Sequence, residues 1–352
     1  MSQPVELERD LNALAYHHGL TAHGCFLNLS STRFRMHLSP MHPSWPSPAE
    51  VSALAARVPP TVLFGTSSWT YPGWKGLIYS KDYPATGAVA KQLAEYARWP
   101  LFRTVGIDSF FYRPASAATL KSYAAVLPPG FRCVSKVWDR ITAHSFNSPR
   151  DTAHHGERNP DWLNPNLFIS EVLGPMQEHF AGHIGPLVFE FQTINKREDR
   201  SAAQFFEALD AFFGALPKGL PYAVEIRNPE YLTPPYFAVL REHCVAHVFN
   251  AWTRMPAIGE QLLLHDSITA DFIVTRALLR PGRTYAKAVE AFAPYDHIQD
   301  ENPELRNDLV ALARTAINLR IPAYVIVNNR AEGSSPLTIK AVAELLVSSP
   351  SA

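Results

Sequence analysis

Residues 222–227 read Tyr-Ala-Val-Glu-Ile-Arg, an apolar stretch that carries an acid, Glu225, and a base, Arg227, two positions apart. Side chains on a β-strand alternate between faces, so a strand here points both groups the same way. Pro229 follows and ends the strand pattern, which places the pair at the C-terminal end of the strand. In parallel α/β proteins, ligands bind at the carboxyl ends of the strands. The spacing therefore indicates either a structural ion pair or part of a binding site.

Other predicted strands also change from apolar to polar at their C-terminal ends. A partly buried charge is costly unless it is paired, so the accumulation of such ends is typical of an enzyme built on a barrel. We predict that these residues converge with Glu225 and Arg227 at one end of the molecule. They are Asp108, Lys136, Glu190, Gln192, Arg276, Asn328 and Asn329.

Five residues are the candidates for catalysis. Glu225 and Asp108 would exchange protons, assisted by Tyr112 or by His144, whose ordinary pKa of about 6.5 suits proton transfer. Lys136 has two interpretations. It either pairs with an acid in an ion network or holds an anion, or it loses its proton when desolvated and acts as a base or Schiff-base nucleophile.

A second group of residues is predicted to bind the substrate. Arginine and lysine bind oxyanions through charge-assisted hydrogen bonds, and the same cations repel a divalent metal ion. Trp69 lies in the glycine- and aromatic-rich segment 65–76, which either packs over the barrel end or forms a wall for a sugar or base. The sequence predicts no metal and no cofactor. The predicted substrate-binding residues are Arg227, Arg276, Glu190, Gln192, Trp69, Asn328 and Asn329.

The elements that must position these residues alternate regularly from residue 62 onward. Eight strand–helix units over roughly 290 residues predict an α/β fold of the TIM (β/α)8 barrel type. A doubly wound open sheet is the alternative, but no G-x-G-x-x-G follows the first strand. The predicted strands are 62–67, 103–108, 131–136, 187–192, 222–227, 245–250, 272–276 and 323–328, and the predicted helices lie around 86–98, 116–126, 166–181, 199–215, 234–243, 256–262, 302–319 and after 336.

Two regions of the chain differ in pattern. Residues 1–60 are rich in proline towards their end and predict a poorly packed N-terminal extension and linker. Residues 61–348 predict the barrel domain.

Composition limits the partners of this protein. The 352 residues include 32 basic and 32 acidic side chains, and no long run carries one sign, so a nucleic-acid surface or a membrane-binding face is not expected. A small anionic molecule is the expected partner, and the oligomeric state is left open. No apolar run reaches the length of a membrane span, and the N-terminal residues lack the pattern of a signal peptide, so neither a membrane span nor secretion is expected. Three widely spaced cysteines fit a reducing compartment, so we expect a cytoplasmic protein.

Four motifs together resemble the YecE-like family, also called domain of unknown function 72. They are Gly-Thr-Ser-Ser-Trp-Thr-Tyr-Pro-Gly-Trp-Lys-Gly at 65–76, Phe-Tyr-Arg at 111–113, Ala-Val-Glu-Ile-Arg at 223–227 and Val-Asn-Asn at 327–329. The resemblance extends from about residue 62 to residue 346. It implies a TIM barrel and no established activity.

The chain departs from the family pattern at three strands. The resemblance implies Glu and then Asn near the end of the second strand, where this chain has Gly106 and Asp108. It also implies Gln at the position of Glu190. After Arg276 the family continues Leu-His-Gly, whereas this chain continues Ala-Leu-Leu, so any role of that family histidine does not transfer.

Three functional hypotheses remain open at this point. The first is a metal-independent enzyme, a hydrolase or an isomerase/lyase, that acts by acid–base chemistry on a small anionic or sugar-like substrate. The second is glycoside hydrolysis by two carboxylates, for which Glu190 and Glu225 on adjacent strands are the candidates. The third is a non-catalytic scaffold that binds nucleic acid or protein.

Overall fold

The computed structural model describes residues 45–84, 86–146, 155–194 and 201–348. Eight parallel strands form one sheet in the order β1-β8-β7-β6-β5-β4-β3-β2. The predicted TIM-barrel architecture is confirmed, and each predicted strand corresponds to an observed one. The strands are β1 Val62–Thr66, β2 Thr104–Ile107, β3 Arg132–Lys136, β4 Ile184–Glu190, β5 Tyr222–Glu225, β6 Ala246–Ala251, β7 Ile273–Ala277 and β8 Ala323–Val327.

The seam between β1 and β2 brings the sheet close to a closed barrel. The Arg103 N–H donates to the Phe64 carbonyl oxygen at 2.9 Å. A Cβ added to Gly65 would lie 2.3 Å from the Thr104 oxygen, and one added to Gly106 would lie 2.9 Å from the Ser67 Cα. Both positions therefore need glycine, because the two strands approach too closely for a side chain.

Helices connect the strands and cover the outside of the barrel. The predicted helix at 166–181 is observed as three continuous pieces, and its middle part is a π-helix that precedes Pro175, which has no N–H to donate. The helices are α1 Pro48–Arg57, α2 Val89–Tyr96, α3 Ala117–Ala124, α4 Asp139–Thr142, α5 Pro165–Leu167, the π-helix Phe168–Leu173, α6 Gly174–His179, α7 Ala202–Ala215, α8 Pro234–Glu242, α9 Ile258–Leu262, α10 Tyr285–Phe292, α11 Pro303–Leu319 and α12 Ser335–Ser348.

Helix α1 changes the expected boundary of the barrel. Ser47 and Glu50 form a capping box at its start, and Val51 is fully buried. The Arg103 guanidinium donates to the carbonyl oxygens of Ala55 at 2.9 Å and Pro59 at 2.8 Å, which satisfies groups at the C-terminal end of the helix. Pro48–Arg57 is therefore a packed helix within the segment that the sequence predicts as extension and linker. Residues 1–44 lie outside the described residues.

Two adjacent levels of the barrel interior position the charged residues. Six side chains from β3 to β8 form the lower one, which we call the apolar layer: Val134, Val188, Ala223, Val248, Val274 and Ile326. Side chains two residues further along a strand lie on the same face and one step nearer its C-terminal end. In the same six strands those positions hold Lys136, Glu190, Glu225, Asn250, Arg276 and Asn328. The polar residues therefore form the next level, at the C-terminal mouth of the barrel.

Candidate functional site

Arg276 on β7 is the centre of a group of ion pairs at this mouth. Its Nη1 donates to Glu190 Oε2 at 2.7 Å and to Glu225 Oε2 at 2.5 Å, and its Nη2 lies 3.0 Å from both carboxylate oxygens of Asp108. Burial would lower the pKa of Arg276, but Asp108, Glu225 and Glu190 raise it well above its ordinary value. Arg276 is therefore charged, and both of its terminal nitrogens are occupied by carboxylates of the protein.

Glu190 on β4 is shared by three cations. Its Oε2 lies 2.9 Å from Lys136 Nζ, 3.0 Å from Arg227 Nη2 and 2.7 Å from Arg276 Nη1. Burial would raise the pKa of this carboxyl group, but Lys136, Arg227 and Arg276 together lower it well below its usual range. Glu190 is therefore held as a carboxylate.

Glu225 is fully buried at the end of β5, beside Glu190 in the strand register. Its Oε1 lies 2.6 Å from Arg227 Nη2, so the acid and the base that the sequence places on one face are in direct contact. The Arg227 guanidinium also stacks on the Trp252 ring, 4.1 Å from its centroid. We call the six charged residues joined in this way the ion cluster: Asp108, Lys136, Glu190, Glu225, Arg227 and Arg276.

Arg227 Nη1 and Asn250 Oδ1 are a donor and an acceptor beside the ion cluster that have no hydrogen-bond partner within the described ranges, on side chains that are 6% and 0% exposed. Glu225 Oε1 also lacks a hydrogen bond there, but it forms an ion pair with Arg227 Nη2. The Asn250 amide orientation follows from its Nδ2, which donates to the Ile226 carbonyl oxygen at 3.2 Å. The pairing of β5 with β6 matches Ala223 to Ala246, and continuing it sets Asn250 beside Arg227. A ligand group that both accepts and donates would complete this pair.

Asn250 and Trp252 lie next to the strand end that carries Arg227 but are not among the predicted site residues. The signals were an amide at the end of a predicted strand and an aromatic residue two positions later. Neither pattern distinguishes a site from ordinary packing without the neighbouring strand.

The three acids of the ion cluster differ in solvent exposure. The side chain of Asp108 is 31% exposed, whereas those of Glu190 and Glu225 are 6% and 0% exposed. Lys136 Nζ lies 3.8 Å from the centroid of the Phe111 ring and keeps N–H groups beyond the one that meets Glu190. Asp108 therefore presents the most accessible carboxylate of the cluster, whereas Glu225 has no exposed surface.

The sequence profile of the family described as "Protein of unknown function DUF72" matches residues 63–352. The chain belongs to the DUF72 family. This confirms the resemblance to domain of unknown function 72 that the motifs indicate. A search of the curated proteins finds no match.

Solved structures of other DUF72 proteins share the fold of this one. A DUF72 family protein from Enterococcus faecalis V583 has 17% identity and a TM-score of 0.55, over 83% of this chain and 97% of that chain. A DUF72 family protein from Thermotoga maritima MSB8 has 18% identity and a TM-score of 0.54, over 81% of this chain and 98% of that chain. At this identity the likeness shows the barrel architecture alone.

Six of the predicted residues of this DUF72 chain lie outside the ion cluster, and Trp69, Tyr112 and Gln192 are three of them. Trp69 is buried, donates its Nε1–H to the Val89 carbonyl oxygen at 3.0 Å and meets the Tyr123 ring edge-on at 5.3 Å. These contacts fit the packing interpretation rather than a wall for a ligand. Tyr112 is exposed after the 3₁₀ turn that follows β2, and Gln192 is exposed beyond the end of β4.

His144 lies in the loop after α4. Its ring meets Trp162 edge-on with centroids 5.3 Å apart, and its Nδ1 is 3.4 Å from Ser145 Oγ. The side chain is mostly buried, at 8% exposure. These contacts place His144 in the packing of the loop, and its predicted role in proton transfer stays a prediction.

Asn328 and Asn329 shape the loop between β8 and α12. Asn328 Oδ1 accepts from the Arg330 N–H at 3.0 Å. Asn329 Oδ1 accepts from the N–H and the hydroxyl of Ser335 at 2.8 and 2.7 Å, at the first residue of α12. Their carbonyl-type oxygens are therefore used within the protein.

Over the described ranges, no group of three or more His, Cys, Asp or Glu side chains is arranged to hold a metal ion. In the same part of the chain, no helix combines the length and the apolar character that crossing a membrane requires.

Proposed function

We propose that this protein is an acid–base enzyme that acts on a small hydroxyl-bearing molecule bound over the ion cluster. Arg227 Nη1 and Asn250 Oδ1 carry this proposal, because both atoms are buried and have no hydrogen-bond partner within the described residues. A buried polar group without a partner costs about 1–3 kcal/mol, so a bound molecule that satisfies both groups gains this amount at each. A hydroxyl group accepts one hydrogen bond and donates another, and it fits both requirements.

Charge balance supports a neutral group at this point. The ion cluster contains three carboxylates and three cations, which pair with one another. An anion placed among them would add an uncompensated charge to a buried region. Of the two predicted substrate types, the sugar-like one therefore fits the cluster better than an anionic group does.

We assign the proton transfer to Asp108. It is the most exposed acid of the cluster, and Arg276 holds both of its oxygens. In this proposal Lys136 donates to an oxygen of the substrate that gains negative charge, as cations do in pockets of low dielectric. Glu225, which has no exposed surface, is a positioning residue that orients Arg227 and Arg276.

Glycoside hydrolysis by Glu190 and Glu225 has less support. That chemistry needs a carboxylic acid that is protonated before the reaction, which requires a raised pKa. The pKa of Glu190 is lowered by Lys136, Arg227 and Arg276 despite its burial. Glu190 is therefore a poor general acid.

Ligand binding is testable by thermal shift on the full-length chain. The probes are free sugars, polyols, hydroxy acids and sugar phosphates, because a bound ligand raises the unfolding temperature by mass action. Arg227→Lys keeps the positive charge and removes Nη1. Arg241→Lys is the matched control, since Arg241 pairs with Asp266 on an exposed part of the barrel. We expect hydroxyl-bearing ligands to stabilise the wild type and the control but not Arg227→Lys.

Turnover of the ligands found in this way tests the chemistry. Liquid chromatography with mass spectrometry, which also separates isomers of equal mass, should detect conversion by the wild type and none by Asp108→Asn, which keeps the shape of the side chain. Ligands that bind Arg227→Lys as well as the wild type would place the site elsewhere. Conversion at the wild-type rate by Asp108→Asn would remove the proposed role of Asp108, and ligand binding with no conversion by any form would favour a non-catalytic scaffold.

A further inference from the structure

A second group of arginines lies at the same end of the barrel, outside the ion cluster. Arg280 Nη1 donates to both carboxylate oxygens of Asp300 at 3.0 Å, and Arg283 Nη2 donates to one of them. Burial would raise the pKa of Asp300, but Arg283 and Arg280 lower it, so this carboxyl group is ionised. Two guanidinium groups on one carboxylate leave an excess positive charge.

This group lies in the loops that follow β7 and β8. Arg280 follows the end of β7 by three residues, and the Asp300 N–H donates to the Glu332 carbonyl oxygen at 3.1 Å, in the loop after β8. Helix α10 follows Arg283 and is an extra helix, since α11 also lies between β7 and β8. In TIM barrels the loops after strands 7 and 8, with a short extra helix, frequently bind a phosphate group.

Arg283 is held in place and has donor capacity to spare. Its guanidinium lies over the Phe292 ring, 4.8 Å from the centroid. Its Nη1 is buried and has no hydrogen-bond partner within the described residues. The side chains of Arg280 and Asp300 are 39% and 30% exposed, so an anion can reach them. The planar guanidinium fork matches the oxygens of a phosphate group.

We propose that Arg280 and Arg283 form a subsite for the phosphoryl group of a phosphorylated substrate. The assignment of that group to the substrate rests on the proposed function, in which the hydroxyl-bearing part enters the charge-balanced ion cluster. Binding of inorganic phosphate alone tests the subsite independently. The two sites then divide the substrate between them, because the arginines have the excess charge that the ion cluster lacks.

The experiment is a calorimetric titration of the full-length chain with inorganic phosphate, at an ionic strength held constant with sodium chloride. We expect saturable binding by the wild type and binding weakened about tenfold or more in Arg280→Gln and in Arg283→Gln, since each removes a charge-assisted donor. The control is Arg241→Gln, which removes an arginine from another carboxylate pair. Circular dichroism checks that each variant is folded. No binding by the wild type, or equal weakening in the control, would overturn the subsite.

Asp300→Asn gives a test that does not depend on removing an arginine. It keeps both guanidinium groups and removes the carboxylate that competes with phosphate, so binding should become several-fold tighter. Weaker binding would contradict the assignment.

Arg227→Lys separates this proposal from the proposed function. It should leave phosphate binding unchanged while it removes binding of the hydroxyl-bearing ligands. Phosphate binding that is lost in Arg227→Lys but kept in Arg283→Gln would place the anion in the ion cluster and overturn the proposal. If the wild type binds phosphate through Arg283 but binds no hydroxyl-bearing ligand, the result would support the subsite and contradict the proposed function.

Discussion

The apolar layer and the ion cluster lie at consecutive levels of the same barrel interior, yet the first consists of hydrophobic side chains and the second of charged ones. In the lower level, burial of apolar side chains stabilises the fold by about 1.5–3 kcal/mol for each large one. In the upper level, buried ion pairs are often no more stabilising than apolar side chains of similar volume. The lower level therefore holds the barrel together, whereas stability alone does not require the charged composition of the upper level.

The largest effect should come from breaking the ion cluster at its most buried member. Glu225→Gln keeps the volume but leaves Arg227 and Arg276 with one carboxylate fewer. We expect the free energy of unfolding to fall by about 3–5 kcal/mol, as when one partner of a buried ion pair is removed. Urea unfolding measures this change. A loss similar to that of a conservative substitution in the apolar layer would erase the difference between the two levels.

Glu190→Gln tests the contribution of the ion cluster through the dependence of stability on pH. The pKa of Glu190 in the folded state lies below its ordinary value of 4.5, so the wild type gains stability from this group above pH 4.5 and loses it as the pH falls towards the lower folded-state pKa. Glu190→Gln should lose about 3 kcal/mol at neutral pH. It should also show a shallower loss of stability below pH 4.5 in acid-unfolding curves. An acid limb as steep as that of the wild type would show that Glu190 is not the group responsible.

His247 is a buried polar residue that belongs to neither the apolar layer nor the ion cluster. It lies on β6 with Nδ1 3.2 Å from the Tyr236 hydroxyl, and burial lowers its pKa from 6.5 to about 4 although a hydrogen bond with Gln261 acts in the other direction. The unfolded chain then binds a proton that the folded chain does not. Stability should therefore fall between pH 6.5 and 4 by up to about 3 kcal/mol.

The measurement for His247 is the slope of unfolding free energy against pH. His247→Phe should have a shallower slope in this range, whatever its stability at neutral pH. An unchanged slope would show that His247 is protonated in the folded state at pH 5.

The smallest effect is expected in the apolar layer. Ile326→Val removes one methylene from β8 and should reduce the unfolding free energy by about 0.5–1.5 kcal/mol. Since Ile326 lies one level below the ion cluster, ligand binding at Arg227 should not change. Thermal shift with the same ligands measures both effects, and a loss of ligand binding would show that the two levels are mechanically coupled.

Much of the barrel was predictable because its signals are local. Each strand is a short apolar run with a polar C-terminal end, and all eight appear where the pattern predicts them, with ends that differ by a few residues. Helix α1 was not predicted because it is a ten-residue segment next to prolines. The Ala55 carbonyl oxygen, near the C-terminal end of this helix, accepts a hydrogen bond from Arg103, which lies 48 positions away in the sequence. Helix α10 was not predicted because only one helix is expected between β7 and β8, and α11 matches that expectation.

The amino-acid sequence by itself determined which charged residues share a face, since side chains alternate with period two along every strand. Only the tertiary structure decided how those charges pair. Arg276 meets Asp108 across 168 positions of the chain, and Glu225 is fully buried whereas Asp108 is partly exposed. The physical reason is that pairing between strands depends on the order and register of the eight-stranded sheet, which no single segment of the chain contains.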